Sequence, residues 1–314
     1  MKITVILCTF NRCRTLAKAL DSVLSSVLPS SVAWEVLVVD NNSNDKTREV
    51  VEQRIPAHPG RLRYLFEPKP GKSNALNAGI KSTQGDILAF MDDDVVVEPT
   101  WLQNLTASLE SDNWVGTGGR ILPQWTSKPP AWLPVEDRYG LAPLAMFDLG
   151  SEAVSLNEAP FGTNMAFRKS VFEKFGGFRT DLGPRPGSEI RNEDTEFGQR
   201  LLSAGERLRY EPSAVVYHSV PEERLRQTYF LKWWFDKARA DVRQLGLPDH
   251  RWAIAGVPLV LYRRFAVWTV RWMFAINPGH RFSCKLKVWG IAGQIQESCR
   301  TSRQGKLQRI TAGS

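Results

Sequence analysis

The strongest candidate for chemistry in this chain is a run of three carboxylates, Asp92, Asp93 and Asp94. The run directly follows residues 87–91, an apolar stretch typical of a buried strand. Adjacent carboxylates repel one another unless a cation neutralises them. In an extended segment Asp92 and Asp94 point to the same side, which suits one shared divalent ion. Mg²⁺ or Mn²⁺ would complete its shell with substrate phosphates, so we favour a metal site over a solvated acidic turn.

Other polar residues follow apolar runs where strands should end. Thr9 closes residues 3–9, and Asp40 follows residues 36–39. A carboxylate at a strand end can accept hydrogen bonds from a ligand, although Asp-Asn-Asn-Ser is also good turn chemistry. Arg12 is equally ambiguous. Lys72 could meet a phosphate or could be a solvated lysine at a helix start.

A second pair of carboxylates, Glu193 and Asp194, stands at the predicted start of a helix. Capping alone explains acidic residues there, because the helix dipole favours them in the first turn. The same field keeps a carboxylate ionised, as a general base requires. His218 ends the strand-like run 214–217. A lone histidine is more often structural, but an imidazole at a strand end could complete a metal shell.

Alternating strands and helices must position these residues. The first part of the chain predicts strands at 3–9, 36–39, 62–66, 86–91 and 114–121, separated by helices at 14–27, 45–53, 72–82 and 99–110. This alternation is typical of an α/β fold with an open parallel sheet. Ligands of such sheets bind beyond the carboxyl ends of the strands, so the polar strand ends should share one rim.

Regularity is lost from 122 to 157, where several prolines predict a long functional or mobile loop. Order resumes with a strand at 163–168 and with helices at 169–175, 193–204 and 224–245.

Composition excludes several classes of protein. The 314 residues are 42% hydrophobic and 24% charged, as in an ordinary globular protein rather than a disordered or fibrous one. The four cysteines are too scattered for a disulfide framework or a four-cysteine zinc site. Residues 1–223 carry 24 Lys and Arg against 29 Asp and Glu, whereas residues 224–314 carry 17 against 4. An acidic body with a basic tail suggests a partner that is anionic.

Several motifs, taken in order, resemble the family-2 inverting nucleotide-sugar glycosyltransferases. They are Cys8 to Arg12, Val38 to Ser43, Gly71 to Asn77, Phe90 to Asp94, Gly162 to Ala166 with Gly176-Gly177-Phe178, and Asn192 to Glu196. The resemblance covers roughly residues 1–245. It implies a GT-A fold, which is a Rossmann-like open mixed sheet flanked by helices.

The resemblance also assigns roles to individual residues. The nucleotide-binding set would be Thr9, Asn11, Arg12, Asp40, Lys72, Asp92 and Asp93. The metal, Mn²⁺ or Mg²⁺, would be held by Asp94 and His218. Asp194 would be the catalytic base, supported by Glu193. The acceptor or sugar contacts would be Thr163, Asn164, Trp233 and Trp234, the two tryptophans being equally explicable as core residues.

These roles predict a single displacement that inverts the sugar's anomeric centre. The metal would neutralise the leaving diphosphate while the base takes the acceptor's proton from the opposite face. Processive members of the family carry a Gln-x-x-Arg-Trp motif and membrane spans. Here the nearest counterpart is residues 229–234, without that motif, and no span is visible. One sugar per encounter is therefore expected.

The basic tail predicts a separate region. We expect a catalytic domain at 1–223 and a helical, tryptophan-rich extension at 224–314. Between Trp252 and Trp289, arginines and lysines interrupt apolar residues, which suits helices lying on an anionic membrane surface. A helical appendage with a solvated basic face is the alternative, and nothing resembles a nucleic-acid module. Without a secretory signal, a cytoplasmic protein at the inner face of the cell membrane is expected.

The sequence thus predicts transfer of one sugar from a nucleotide diphosphate sugar, with a UDP-sugar favoured. The acceptor would be a glycan or lipid-linked hydroxyl in cell-surface polysaccharide synthesis. A sugar-nucleotide nucleotidyltransferase is one alternative, but it needs a glycine-rich phosphate loop, and residues 8–12 contain no glycine. A silent relative that only binds glycan or membrane is another.

Overall fold

A computed structural model describes residues 1–111, 113–133, 141–247 and 252–311, with side chains as far as residue 302. The chain divides into two compact units. The first comprises Met1–Thr126, Leu144–Gly187 and Glu193–Val220, and the second comprises Ser127–Pro143, Ser188–Asn192 and Pro221–Ser314. The domain boundary between residues 223 and 224 remains a prediction.

The first unit is built on one large sheet. Its strands are β1 (Lys2–Thr9), β2 (Ala33–Asp40), β3 (Leu62–Phe66), β4 (Ile87–Asp92), β5 (Val95–Val97), β6 (Gly116–Trp125), β7 (Val154–Leu156), β8 (Asn164–Arg168) and β9 (Leu208–Val220). They run in the order β3-β2-β1-β4-β8-β6-β9-β5, and β7 pairs with β9. The central strands are rich in Val, Ile and Leu because both faces of the sheet are covered.

Helices flank this sheet. They are α1 (Cys13–Leu24), α2 (Thr47–Glu52), α3 (Lys72–Lys81), α4 (Trp101–Ala107), α5 (Lys169–Phe175) and α6 (Glu193–Ser203). In α1 the buried residues Leu16, Ala19, Leu20 and Val23 recur at helical spacing, so one stripe of the helix packs on the core.

The predicted mixed sheet is confirmed, and the strands predicted as far as residue 121 all run in one direction, but β4 and β6 do not pair with each other as a continuous parallel sheet would require. Strands β3, β2, β1 and β4 are parallel. Strand β8 then enters antiparallel between β4 and β6, and β6 runs parallel to β9. Alternation along the chain cannot reveal this, because β8 comes from a later part of the sequence.

The segment at 122–157, predicted as irregular, is partly ordered. Strand β6 continues to Trp125 along β9, and Ile121 bridges Phe147. The pairing of β8 with β6 ends at Gly118. Proline is tolerated in a strand where one edge makes no ladder bond, which explains Pro123 within β6. Residues 134–140 of the predicted loop lie outside the described residues.

The second unit is mainly helical. It contains α7 (Gln227–Leu245), a hairpin of β10 (Ala253–Ile254) and β11 (Val257–Pro258), α8 (Leu259–Phe274) and α9 (Pro278–Thr311). Helices α7 and α9 supply most of its buried apolar residues, and those of α9 are Phe282, Cys284, Leu286, Val288 and Ile291. Among the described residues, no helix has the length and apolar character needed to cross a bilayer.

Candidate active site

The ends of three central strands meet at one rim of the sheet. Thr9, the last residue of β1, pairs in register with Asp40, the last residue of β2. On the other side of β1, Cys8 pairs with Asp92 at the end of β4. Parallel pairing therefore sets these strand ends side by side, where α/β sheets bind ligands.

Asp40 is buried and held by two donors. The backbone N–H of Ser43 donates to Oδ1 at 2.9 Å, and the hydroxyl of Tyr64 donates to Oδ2 at 2.8 Å. Burial and the neighbouring carboxylate raise the pKa of Tyr64 above its usual value, so the phenol stays a donor. Asp40 is consequently fixed in place at the far end of the rim.

Asn11 ties the loop after β1 to the loop after β2. Its backbone N–H donates to Ser43 Oγ at 2.9 Å, and its Oδ1 accepts from the backbone N–H of Asn44 at 2.8 Å. Asn11 has a positive φ of 52°, a conformation that asparagine tolerates better than most residues. The two loops thus form one rigid edge beside Asp40.

Asp92 lies between an ammonium and a hydroxyl. Lys72 Nζ donates to its Oδ1 at 2.6 Å, and Thr163 Oγ1 donates to its Oδ2 at 2.8 Å. Burial by itself would raise the pKa of Asp92, but the Lys72 charge and these hydrogen bonds outweigh it and hold the pKa below the ordinary value. The carboxylate is therefore ionised at neutral pH.

Asp93 and Asp94 share a different cation. One guanidinium nitrogen of Arg12 lies 2.9 Å from Asp93 Oδ1 and 3.0 Å from Asp94 Oδ2. Thr9 Oγ1 also donates to Asp93 Oδ2 at 2.7 Å. Burial and the neighbouring Asp94 charge raise the pKa of Asp93 to about 6, despite the opposing charge of Arg12.

The expectation that Asp92 and Asp94 point to one side, as in an extended strand, is not met. Strand β4 ends at Asp92, and residues 93–94 form a turn before β5. Strand alternation does not apply in a turn. Asp92 consequently pairs with Lys72, while Asp94 pairs with Arg12.

His218 faces Asp94 from the neighbouring strand. Its Nδ1 lies 2.8 Å from the carbonyl oxygen of Leu144, and its Nε2 lies 3.5 Å from Asp94 Oδ1. A carbonyl only accepts hydrogen bonds, so Nδ1 carries the proton. In the neutral imidazole, Nε2 then presents a lone pair beside a carboxylate oxygen. An imidazole nitrogen and a carboxylate oxygen this close together are both groups that can bind a divalent cation.

This donor set suits a divalent metal that also binds substrate oxygens. Within the described part of the chain, no three His, Cys, Asp or Glu side chains form a complete metal site by themselves. Mg²⁺ and Mn²⁺ are often held by few protein ligands and by substrate phosphates, and imidazole with carboxylate fits Mn²⁺. Asp94 and His218 therefore fit a metal whose shell a diphosphate completes.

Asp194 lies half-buried in the first turn of α6 and is held by backbone donors. The N–H of Gly162 donates to its Oδ2 at 2.7 Å, and the N–H of Thr195 donates to its Oδ1 at 2.6 Å. A Cβ atom at Gly162 would lie 3.1 Å from Oδ2, so glycine allows this close approach. Asp194 is thus oriented by the main chain while part of its surface remains accessible.

Glu193, next to it, is buried. Burial and the adjacent Asp194 charge raise the pKa of Glu193 to about 7, although Lys72 Nζ lies 3.7 Å from its Oε1. Burial would lower the pKa of Lys72, but the Asp92 and Glu193 charges raise it, so the ammonium stays charged. Lys72 therefore links the carboxylate at the end of β4 to those at the start of α6.

The position of Lys72 depends on the loop at residues 182–184. The backbone N–H of Lys72 donates to the carbonyl of Pro184 at 2.9 Å, and Ser73 Oγ donates to that of Leu182 at 2.8 Å. Gly183 has a φ of +90°, and a Cβ atom there would lie 2.6 Å from Ser73 Oγ. Only glycine meets both conditions.

Residues 4–176, more than half of the chain, match the sequence family described as Glycosyl transferase family 2. The chain belongs to glycosyltransferase family 2. A glucosyl-dolichyl phosphate glucuronosyltransferase of Haloferax volcanii is 26% identical over 228 residues, which cover 71% of each chain. The succinoglycan biosynthesis protein ExoM of Rhizobium meliloti is 26% identical over 251 residues, which cover 80% of this chain and 77% of ExoM.

Two solved glycosyltransferases show that this family-2 chain has the GT-A fold. The mannosyltransferase PcManGT of Pyrobaculum calidifontis, in complex with GDP-Man and Mn²⁺, aligns with a TM-score of 0.57 and 20% identity, covering 99% of this chain and 76% of its own. GalNAc-T7 with UDP, GalNAc and Mn²⁺ aligns with a TM-score of 0.60 and 17% identity. The alignment covers 99% of this chain and 57% of the GalNAc-T7 chain.

The glycosyltransferase carries the predicted acceptor residues in different surroundings. Thr163 is at the rim and donates to Asp92. Asn164 is fully buried; it donates to the carbonyls of Arg120 and Ala214 and accepts from Trp101 Nε1. Both amide hydrogens of Asn164 are therefore bonded within the protein, and its sugar contact remains a prediction.

Trp233 and Trp234 belong to α7 in the second unit. Their rings meet edge to face at a centroid distance of 5.0 Å, and the Arg191 guanidinium lies 5.8 Å from the Trp233 ring. Trp233 is buried and Trp234 is half-buried. Packing within this unit accounts for both rings, and their acceptor role remains a prediction.

Sequence reasoning missed three groups that shape the glycosyltransferase site: the Tyr64 hydroxyl and the backbone N–H groups of Ser43 and Gly162. Residue type does not reveal a backbone donor, because every residue except proline carries a backbone N–H. Tyr64 could have been noticed, because it lies on the strand predicted beside β2. Its partner across the chain, Asp40, is apparent only once the strands are paired.

Proposed function

We propose that this protein transfers one sugar from a nucleotide diphosphate sugar to the hydroxyl of a glycan or lipid-linked acceptor. The transfer would depend on a divalent metal and invert the anomeric centre. The observation that carries the proposal is the contact of one side chain, Lys72, with both Asp92 and Glu193. It supports a donor site at this end of the rim next to the carboxylates that would face the acceptor.

The nucleotide would lie along the rim from Asp40 to Asp92. The fixed Asp40 carboxylate suits an N–H of a base, and the edge formed by Asn11 and Ser43 borders it. Arg12, half-exposed and charged, suits a phosphate or ribose. UDP is the favoured nucleotide, with GDP and dTDP as alternatives.

Asp94 and His218 would hold the metal, Mn²⁺ or Mg²⁺. When bound there, a divalent cation supplies positive charge that offsets the charge developing on the leaving diphosphate. The protein's own cations contribute beside it. Arg12 contacts Asp94, and Lys72 contacts Asp92, so the carboxylates are partly neutralised before the donor enters.

Asp194 would be the base that takes the proton from the acceptor hydroxyl. Its two oxygens are oriented by the N–H groups of Gly162 and Thr195. Proton removal on the face opposite the leaving group gives a single displacement and hence inversion. Glu193 would support the base by holding Lys72, and Thr163 would border the sugar.

The acceptor and the location complete the proposal. Relatives named for succinoglycan biosynthesis and for glucosyl-dolichyl phosphate support a glycan or lipid-linked acceptor in cell-surface polysaccharide synthesis. The basic residues 224–314 support a peripheral position at the cytoplasmic face of the membrane. We propose a single addition per encounter, because residues 229–234 lack the Gln-x-x-Arg-Trp motif.

Calorimetric titration with UDP, GDP and dTDP, with and without Mn²⁺, tests the donor site. One nucleotide should bind, and its binding should strengthen with Mn²⁺. Asp94→Ala should remove the metal dependence, whereas Asp21→Ala, an exposed residue of α1 that pairs with Arg54, should not. If no nucleotide binds under either condition, the donor site is wrong and a silent relative becomes the better interpretation.

Product analysis then tests the reaction. With the nucleotide identified, its sugar conjugates should give transfer to a glycan or lipid-linked hydroxyl, and NMR of the product should show an inverted anomeric configuration. A retained configuration would overturn the single displacement. Formation of a nucleotide sugar from a sugar phosphate would favour the nucleotidyltransferase instead.

A further inference from the structure

Helix α8 in the second unit is apolar on both sides. Its inner side packs through the fully buried Leu261 against Val257 and Ile291, with Phe265 and Trp268 beside them. Its outer side should be polar if water covered it. Instead it exposes a series of large apolar side chains, which are Leu259, Val260, Val267, Val270, Met273 and Phe274.

The exposed side chains lie on one face of the helix. At 100° per residue, Leu259, Val267, Val270 and Phe274 fall within a single arc opposite Leu261. Phe274 is 75% exposed, and Ile276 just beyond the helix is 97% exposed. The exposed Arg263 lies in the same arc, between Leu259 and Val267 along the helix. Large apolar side chains exposed together on one helix face mark an interaction site.

The hairpin before α8 adds to the same kind of surface. Trp252 is 67% exposed and Ile254 is 60% exposed. The hairpin leads directly into α8, because β11 ends at Pro258 and the helix begins at Leu259. We call the hairpin residues Trp252 and Ile254, the outer face of α8 and Ile276 the apolar surface.

Cations accompany the apolar surface, and the stretch of sequence that forms it contains no acidic residue. Arg263, Arg264 and Arg271 on α8 are exposed. Between Asp249 and Glu297 the sequence contains no Asp or Glu. Nothing acidic along this stretch can therefore neutralise the three guanidinium groups.

Aromatic rings lie close to one of these cations, Arg271, and to a further cation on α9, Lys285. The Arg271 guanidinium lies 4.8 Å from the ring centroid of Trp268, and the Lys285 ammonium lies 5.5 Å from that of Trp272 and 5.4 Å from that of Trp289. Tryptophan with nearby cations and exposed aliphatic chains is the composition of helices that lie in a membrane interface.

We propose that the apolar surface seats this protein on an anionic lipid bilayer, with α8 lying in the plane of the interface. The apolar side chains would enter the headgroup boundary, and Arg263, Arg264 and Arg271 would meet lipid phosphates. Helix α8 has 16 residues and is about 24 Å long, short of the about 30 Å hydrocarbon core. It therefore lies on the membrane and does not span it.

The positive charge of α8 favours an anionic bilayer, and not a second copy of the chain, as the partner of the apolar surface. In a symmetric dimer the same patch faces itself, so the arginines of both copies would approach one another without an acidic partner on either α8. Anionic lipid supplies the missing charge. This inference rests on the peripheral membrane position proposed above and names the surface responsible, but it does not depend on the proposed glycosyl transfer.

Co-sedimentation of the full chain with phosphatidylcholine vesicles, with and without phosphatidylglycerol, tests the surface. Anionic vesicles should pellet the protein, and added salt should release much of it. Val270→Asp/Phe274→Asp should weaken binding at least about tenfold, because two charges would enter the interface. Arg263→Gln/Arg264→Gln should weaken it about 30-fold on anionic vesicles only.

Matched controls separate the surface from general effects. Val27→Asp places the same change on an exposed valine of the first unit, and Lys18→Gln/Lys81→Gln removes two exposed charges there. Both should bind vesicles as the wild type does. Circular dichroism should show every variant folded.

Three results would overturn the proposal. One is failure of the folded wild-type chain to bind anionic vesicles. Another is equal binding by the α8 variants and the wild type. The third is a lipid-free dimer in analytical ultracentrifugation that Val270→Asp/Phe274→Asp dissociates, because the surface would then be an interface between copies.

Discussion

The ammonium of Lys72 donates to a carboxylate oxygen of Asp92 across 2.6 Å, joining the start of α3 to the end of β4. Because the same ammonium lies 3.7 Å from Glu193, one charge serves two carboxylates. Removing it would leave both without their nearest cation.

Replacement of Lys72 by methionine should therefore destabilise the protein by about 1–3 kcal/mol, the cost of leaving charged groups unsatisfied. Urea denaturation measures this free energy of unfolding. Lys81→Met, at the exposed end of the same helix, is the control and should change it little. Equal midpoints for the two variants would show that Lys72 neutralises neither carboxylate.

Glu193 should make the protein less stable as pH rises. Its pKa is raised from the ordinary 4.5 to about 7, first by burial and then by the Asp194 charge, against the attraction of Lys72. Between these values the folded state keeps a proton that the unfolded state has lost. The free energy of unfolding therefore falls from about pH 4.5 to about 7 and stays lower above that.

Glu193→Gln cannot ionise and should lack this part of the pH dependence. The wild type should lose stability relative to the variant between pH 5 and pH 7.5, by roughly 1–3 kcal/mol. Urea titrations at several pH values measure the difference. Asp93, whose pKa is about 6, titrates in both proteins, so its contribution to the stability difference cancels. A difference that does not vary with pH would contradict the raised pKa.

The sequence allowed most of the first unit to be predicted, because buried parallel strands are strongly apolar and end in polar residues. Helix α5 was predicted at its observed bounds, 169–175. The antiparallel insertion of β8 was not, since pairing partners are set by tertiary packing. In the site, the sequence identified the candidate residues but did not show which of their side chains contact one another. Arg12 with Asp94 and Tyr64 with Asp40 emerge only from the fold.

Asp194→Asn should abolish most transfer while leaving nucleotide binding intact. A base of this kind contributes about 10²- to 10⁴-fold to rate, so kcat should fall by that range. Glu196→Gln, in the same helix turn and paired with Arg200, is the matched control and should keep its kcat. Comparable loss in both variants would mean that the helix start matters structurally and that Asp194 is not the base.

A different buried carboxylate, Glu297, should stabilise the second unit. Its fully buried side chain accepts from Nε of Arg239 at 3.1 Å, of Arg243 at 2.6 Å and of Arg300 at 2.8 Å. Burial would raise the pKa of Glu297, but the arginines outweigh it and hold the pKa below the ordinary value. The cluster therefore joins α7 to α9 through an ionised carboxylate.

Glu297→Ala leaves three guanidinium groups around an empty position and should cost about 3–5 kcal/mol of unfolding free energy. Glu297→Gln keeps the size of the side chain and should lose less stability, while Gln296→Ala, at the exposed neighbour on α9, should be close to neutral.

Because the pKa of Glu297 is depressed, the stability advantage of the wild type over Glu297→Gln should persist above the ordinary carboxyl pKa. It should disappear as pH falls through the lowered value. Denaturation at neutral and acidic pH measures both effects. An advantage that grows on acidification would show that the carboxylate is not ionised in the folded protein.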